Sequence, residues 1–96
     1  MNPAPQSWFY VYLLRSKKNG RIYIGCTSNL KKRLKEHKEG KNYYTRRMLS
    51  VELMYVEAYR CKKDAFEREK KLKKHGSALR SLKLRLKNTI SKRGAG

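Results

Sequence analysis

Seven consecutive residues near the start, Trp8-Phe9-Tyr10-Val11-Tyr12-Leu13-Leu14, are aromatic, β-branched or apolar at odd and even positions alike. A strand sends alternate side chains to opposite faces, so this run predicts a central strand covered on both sides. It ends at Arg15, far short of the roughly 18–20 apolar residues a membrane span needs. A chain of 96 residues must therefore pair this strand and cover both of its faces within one domain.

The partners follow in order. Lys17-Lys18-Asn19-Gly20 supplies turn chemistry, since Asn-Gly tolerates positive φ and favours hairpins. Arg21-Ile22-Tyr23-Ile24-Gly25 reads as the return strand, Ile22 and Ile24 on one face and Tyr23 on the other. Thr27, Ser28 and Asn29 are three successive N-cap candidates. They open a helix to about Lys38, with Leu30 and Leu34 inward and Gly40 as its stop. After a polar, aromatic connection over 41–49, Val51 to Tyr59 predicts a third strand, with Val51, Leu53 and Tyr55 on one parity and Met54 and Val56 on the other. A second helix opens near Asp64, runs through Lys74 and closes at Gly76. Ser77 caps a last helix carrying Leu79, Leu82, Leu86 and Ile90 at helical spacing, in preference to a strand over 82–86. The expected fold is α+β: a small antiparallel three-stranded sheet in the order β-β-α-β-α-α, flanked by helices. Residues 1–7 are read as a flexible leader, 8–90 as the domain and 91–96 as a disordered tail.

Charge narrows the partner. The chain has 26 Lys+Arg against 7 Asp+Glu, a formal net charge of +19. The excess is spread along it: residues 1–60 carry 13 basic and 4 acidic residues, and 61–96 carry 13 and 3. A fold this positive repels itself unless an anion is bound, and nucleic acid is the expected partner. A membrane surface is disfavoured, because no amphipathic segment gathers Trp and Phe on one face. Cys26, Cys61, His37 and His75 show no zinc-site spacing, and two cysteines make no disulfide framework. A cytoplasmic, monomeric protein is the default expectation.

Three groups of residues carry candidate chemistry. Glu69 lies four after Ala65, three after Phe66 and three before Leu72, which places a carboxylate in the apolar stripe of its helix while Glu67 lies off it. Such a carboxylate is costly unless it is paired, protonated or bound to a metal; an ordinary ion pair with a nearby Lys or Arg is the plain alternative. Tyr12 and Tyr23 share a sheet face for any hairpin loop with an even residue count. A two-residue Asn19-Gly20 turn sets Tyr23 opposite Ser16, roughly 13 Å from Tyr12; a four-residue loop over Ser16 to Asn19 sets the two directly opposite. Packing alone is the plain reading of both. Arg33 and His37, four apart, share a helix stripe where Arg33 is suited to hold a phosphate, and His37 to bond a phosphate oxygen or a tyrosine hydroxyl. Read alone, Lys31, Lys32 and Arg33 are a solvated basic face.

Together these residues resemble the signature of the GIY-YIG nucleases. Tyr10-Val11-Tyr12 precedes Tyr23-Ile24-Gly25 by eleven residues, Arg33 follows ten after Tyr23 and His37 four later, and Glu69 stands on a later helix within Glu67-Arg68-Glu69. The resemblance covers about residues 8–75 and is closest to the short, one-domain bacterial branch, which carries a connection similar to Lys41-Asn42-Tyr43-Tyr44-Thr45-Arg46. Tyr10 stands where the family's leading glycine does, and Cys26 where excision-repair members have lysine. The resemblance implies hydrolysis of DNA phosphodiester bonds at one divalent ion, Mg2+ or Mn2+, held by Glu69, in DNA repair or processing. It further implies that Tyr12 or Tyr23 assists deprotonation of the attacking water and that Arg33 holds the scissile phosphate. A phenol near pKa 10 is a poor base at neutrality, so the scheme calls for cations that lower it. Lys31, Lys32, Lys35, Tyr43, Tyr44 and Arg46 are candidate nucleic-acid contacts, with specificity left low or borrowed from a protein partner. Two-metal nucleases need clustered carboxylates that this chain lacks outside Asp64, Glu67 and Glu69, and Glu69-Lys70-Lys71 reads as helix where the Glu-x-Lys nucleases have a strand. The remaining alternative is a non-catalytic nucleic-acid-binding module on the same scaffold.

Overall fold

The computed structural model describes residues 8–39 and 51–91. It contains β1 (Phe9–Ser16), β2 (Ile22–Thr27), α1 (Leu30–Lys38), β3 (Val51–Tyr59), α2 (Lys62–Lys73), α3 (Ser77–Arg85) and α4 (Lys87–Ser91). The sheet is antiparallel in the order β2-β1-β3, so β1 is central. Residues Val11 through Ser16 are all buried, and the apolar run is covered on both faces as its composition requires. The fold is the expected α+β arrangement of a three-stranded sheet with helices. On one face Val11, Leu13 and Ile24 pack with Ala65 and Leu72 of α2 and with Leu79 and Leu82 of α3. Each large aliphatic side chain buried there contributes roughly 1.5–3 kcal/mol. The alternate residues of β1, including Tyr12 and Leu14, face the other way.

The hairpin adopts neither of the registers the sequence offers. Leu14 pairs with Tyr23 and Tyr12 with Gly25, which leaves Lys17-Lys18-Asn19-Gly20 as the loop. Gly20 has φ +75°, but it is the only described residue of the loop with positive φ; a type I′ turn needs positive φ at Asn19 as well. Ser16 fixes the longer loop. Its carbonyl accepts from the Gly20 amide at 2.8 Å, and its Oγ accepts from the amides of Lys18 and Asn19 at 3.2 and 3.4 Å.

Further details of the elements refine or correct the sequence reading. Asn29, the last of the three candidates, caps α1 by accepting from the Lys32 amide at 3.0 Å; Leu30 and Leu34 are only half-buried while His37 is fully buried. A register shift in β3 opposite Leu13 and Leu14 pairs Tyr55 with Leu13 and Leu53 with Leu14. Leu53 and Tyr55 thus fall on different faces, because one extra residue reverses the alternation. The left-handed position after α2 is taken by His75 (φ 56°), not Gly76, and Gly76 rather than Ser77 is the N-cap of α3. The last helix breaks at Leu86 into α3 and α4, where the buried Arg15 guanidinium donates to the Ile90 carbonyl and draws α4 towards the end of β1. The leader 1–7, the stop at Gly40, the connection 41–49 and all of the tail beyond Ser91 lie outside the described residues.

Candidate active site

The observed register brings Tyr12 and Tyr23 to one face of the sheet on diagonal positions, with ring centroids 6.4 Å apart. Tyr12 packs across the strand onto its pairing partner Gly25. A Cβ built there would lie 2.3 Å from Tyr12 Oη and 2.4 Å from Cζ. Glycine at this position is therefore the seat of the first phenol, a role of size rather than of backbone freedom.

α1 lays His37 against both rings, at 5.8 Å from Tyr12 and 5.3 Å from Tyr23, each edge to face. His37 Nε2 lies 3.0 Å from Tyr12 Oη. Burial, and then the Arg33 charge, hold the His37 imidazole below its ordinary value, so it is neutral at pH 7. Burial first, then the neighbouring Tyr23, push the Tyr12 phenol up to about 12 against the opposing influence of the nearby Arg33 guanidinium. A phenol that keeps its proton at neutral pH can donate it to Nε2 of a neutral imidazole whose own proton is on Nδ1. The cations therefore do not lower this phenol as the sequence reading called for: Tyr12 is 1% exposed, and desolvation outweighs them. Tyr23 is half-buried, with Lys73 Nζ 5.9 Å from its ring centroid.

Arg33 and Glu69 arrive from different helices. Their charges converge on Cys26 at the end of β2, whose thiol is raised by burial first and then by Glu69, with Arg33, Lys73 and Lys62 opposing. The Glu69 charge also reaches Tyr12. The carboxylate side chain is 20% exposed and pairs with Lys73 Nζ at 3.0 Å, so the ion pair foreseen as the plain alternative is present. Ala65 and Leu72 are buried as the helix stripe predicts, but Phe66 is 49% exposed, and Glu69 lies at the rim of the stripe rather than within it. Arg33 pairs with Glu36 at 3.3 Å on the open side of α1, beside the exposed Lys31, Lys32 and Lys35. Tyr43, Tyr44 and Arg46 lie outside the described residues.

The sequence reading missed a carboxylate network behind the site. Glu57 of β3 accepts from Arg68 Nε at 3.0 Å and Nη2 at 2.9 Å, from Tyr55 Oη at 2.8 Å and from Tyr59 Oη. Hydrogen bonds from Arg68 and the two tyrosines hold its pKa below the usual value although burial opposes them. The signal was available: in Tyr55-x-Glu57-x-Tyr59 a carboxylate sits between two aromatics on one strand face. Arg68 precedes Glu69, so this fork fixes the rotation of α2 and aims the next side chain.

Residues 8–83 match the GIY-YIG catalytic domain family. The chain is 44% identical over 66 residues to a UPF0213 protein of Bacillus licheniformis, covering 68% of this chain and 67% of that one. It is 41% identical over 61 residues to a UPF0213 protein of Streptococcus agalactiae (62% and 68%), and 42% identical over 66 residues to one of Clostridium perfringens (68% and 70%). No solved structure matches it.

Proposed function

The chain belongs to the GIY-YIG family, a family of nucleases, and from that premise we propose that it is a divalent-metal-dependent DNA endonuclease acting in DNA repair or processing. One observation carries the reading: Tyr12, Tyr23 and His37 form a single ring cluster under the charges of Arg33 and Glu69.

The donor set suits a hard cation. Among the described residues no three His, Cys, Asp or Glu side chains lie together as a metal cage. Magnesium characteristically takes one or two carboxylates, substrate phosphate oxygens and retained water, and Glu69 would be its protein ligand. Such an ion, when bound, supplies Lewis acidity to the phosphate and the leaving oxygen. The protein does the rest. Arg33 leaves Glu36 to hold a non-bridging phosphate oxygen where charge develops. Tyr23, half-exposed, is the phenol placed to accept a hydrogen bond from the attacking water, and it takes up that water's proton only as the phenolate, its own hydroxyl proton having passed to solvent. Tyr12 stays protonated, and through His37 it keeps the face of the site rigid and dry.

A binding module without catalysis is the second reading, favoured by the Glu69–Lys73 pair, which occupies the carboxylate. A cleavage assay across linear, flapped and branched DNA with Mg2+ or Mn2+ separates them. Cutting that stops in EDTA, and in Tyr23→Phe and Glu69→Gln variants that still fold and bind, supports the nuclease. Undiminished cutting by both variants refutes this site, and binding without cutting on every substrate leaves the module.

A further inference from the structure

Phe66 stands one turn before Glu69 on α2 with 49% of its surface open. A large aromatic left in water beside a candidate catalytic carboxylate is not explained by the core, which it does not join. Its surroundings are cationic. Lys62 Nζ sits 5.3 Å from the ring centroid, and a shallow hollow of about 480 Å³ is lined by Phe66, Glu69, Lys70, Lys73 and Lys74. Three lysines to one carboxylate around an apolar floor suit a ligand with a flat uncharged part and an anionic backbone. An apolar peptide or a basic partner meets neither condition.

We propose that this hollow receives an unpaired nucleobase, stacked on Phe66, from the nucleotide next to the scissile phosphate. Side chains three apart on a helix stand about 5–6 Å apart at Cβ, so a phosphate near Glu69 puts the neighbouring base within reach of the ring. Bases inside a continuous duplex are already stacked on one another, so the platform acts only where the strand is single next to the cut. The preferred substrate class is then a flap, a gap or a frayed end rather than unbroken duplex. Lys62 and Lys70, one turn either side of Phe66, meet the flanking phosphates, and Lys62 adds a cation–π contact to the ring. This rests on the nuclease reading only for which phosphate is adjacent; the stack itself is a binding property.

The test uses the whole protein in EDTA, so that binding is read without cleavage. The probes are a flapped duplex with 2-aminopurine at its first unpaired position and a blunt duplex of equal length. Wild type is expected to bind the flap about 5- to 150-fold more tightly, the range of one base–aromatic stack, and to quench the 2-aminopurine. Phe66→Ala is expected to lose most of that preference and the quench, and Phe66→Tyr to keep both. Equal affinity for the two duplexes with no quench, or a Phe66→Ala variant indistinguishable from wild type, overturns the proposal. Self-association that Phe66→Ala abolishes would also overturn it, assigning the hollow to a second copy of the chain. Cleavage with Mg2+ is scored in parallel. Quenching without cutting on any substrate supports the stack and ends the nuclease reading; cutting with no effect of Phe66→Ala does the reverse.

Discussion

Replacing Gly25 by alanine puts a methyl group into the space Tyr12 occupies. The new carbon would lie 2.3 Å from Tyr12 Oη, 2.4 Å from Cζ and 2.9 Å from Cε1, whereas carbon atoms settle at about 3.5–4.0 Å. The ring would have to retreat by about 1 Å, and it has little room: it is 1% exposed and packed against Tyr23 and His37. Retreat also breaks the buried hydrogen bond to His37 Nε2. Over-packing costs about 1–3 kcal/mol, and an orphaned buried polar group another 1–3 kcal/mol. The expected loss is about 2–6 kcal/mol, a large part of the roughly 5–15 kcal/mol that holds a domain folded. Urea unfolding followed by circular dichroism measures it as a lower midpoint at unchanged slope. The same substitution in a Tyr12→Ala background is the control, because the atoms that clash are gone and the methyl group is then expected to cost under about 0.5 kcal/mol. Gly25→Ala within about 0.5 kcal/mol of wild type, or an equal loss in both backgrounds, would refute the idea that this glycine is the seat of Tyr12.

Three other outcomes follow from the same geometry. Arg68→Met strands the largely buried Glu57 carboxylate and is expected to cost about 3–5 kcal/mol in urea unfolding; Glu57→Gln on that background should recover part of it, and full stability of Arg68→Met alone would contradict the network. The depressed His37 pKa means the unfolded chain takes up the proton first, so its contribution to stability is complete above about pH 6.5 and is lost as pH falls through the lower folded-state value. His37→Gln should flatten that acid slope, while the Tyr12 contribution, present below pH 10, should disappear as pH rises to about 12. Lys73→Met removes the partner 3.0 Å from Glu69, and in a cleavage titration it should reach half-maximal activity at less Mg2+ than wild type; a higher requirement would count against Glu69 as the ligand.

The sheet and most of its helices were legible because they rest on patterns with one physical solution. An apolar run at both parities needs cover on both faces, and Val11 to Ser16 are buried accordingly. Tyr12 and Tyr23 had to share a face for any even loop, and they do. The register was not legible, since it turned on whether Ser16 closes the loop with its own side chain, a choice of side-chain over backbone hydrogen bonds that Asn19-Gly20 does not reveal. Parity along β3 failed past the register shift for the same reason: nothing in Leu53-Met54-Tyr55 announces an extra residue. For Glu69 the helix stripe was too coarse to tell rim from centre, and it hid the exposure of Phe66. The scheme called for cations that lower a phenol, but which tyrosine they could serve was not legible, because for Tyr12 the deciding quantity is the water it has lost.

Burial also sorts the ion pairs into those that stay and those that can exchange. Arg33 and Glu36 are 36% and 34% exposed, and a pair so open contributes about 0–1 kcal/mol. Exchanging that carboxylate for a phosphate oxygen would therefore cost Arg33 little. Glu57 and Arg68 are 13% and 27% exposed and are locked by the two tyrosines, so an incoming polyanion does not compete for that guanidinium. Glu69 with Lys73 lies between, at 20% and 50%: the lysine can swing to solvent or to a phosphate while the carboxylate keeps its place. A DNA strand would thus free Arg33 and Glu69 together, by drawing off Glu36 from one and Lys73 from the other, and would leave the fork that aims Glu69 intact. With Glu69 as the proposed metal ligand, substrate binding and exposure of that carboxylate would be one event. Mg2+ affinity measured by titration should accordingly be weak in the free protein and tighten when a non-cleavable DNA is present; identical affinity in both states would show that the carboxylate was never masked.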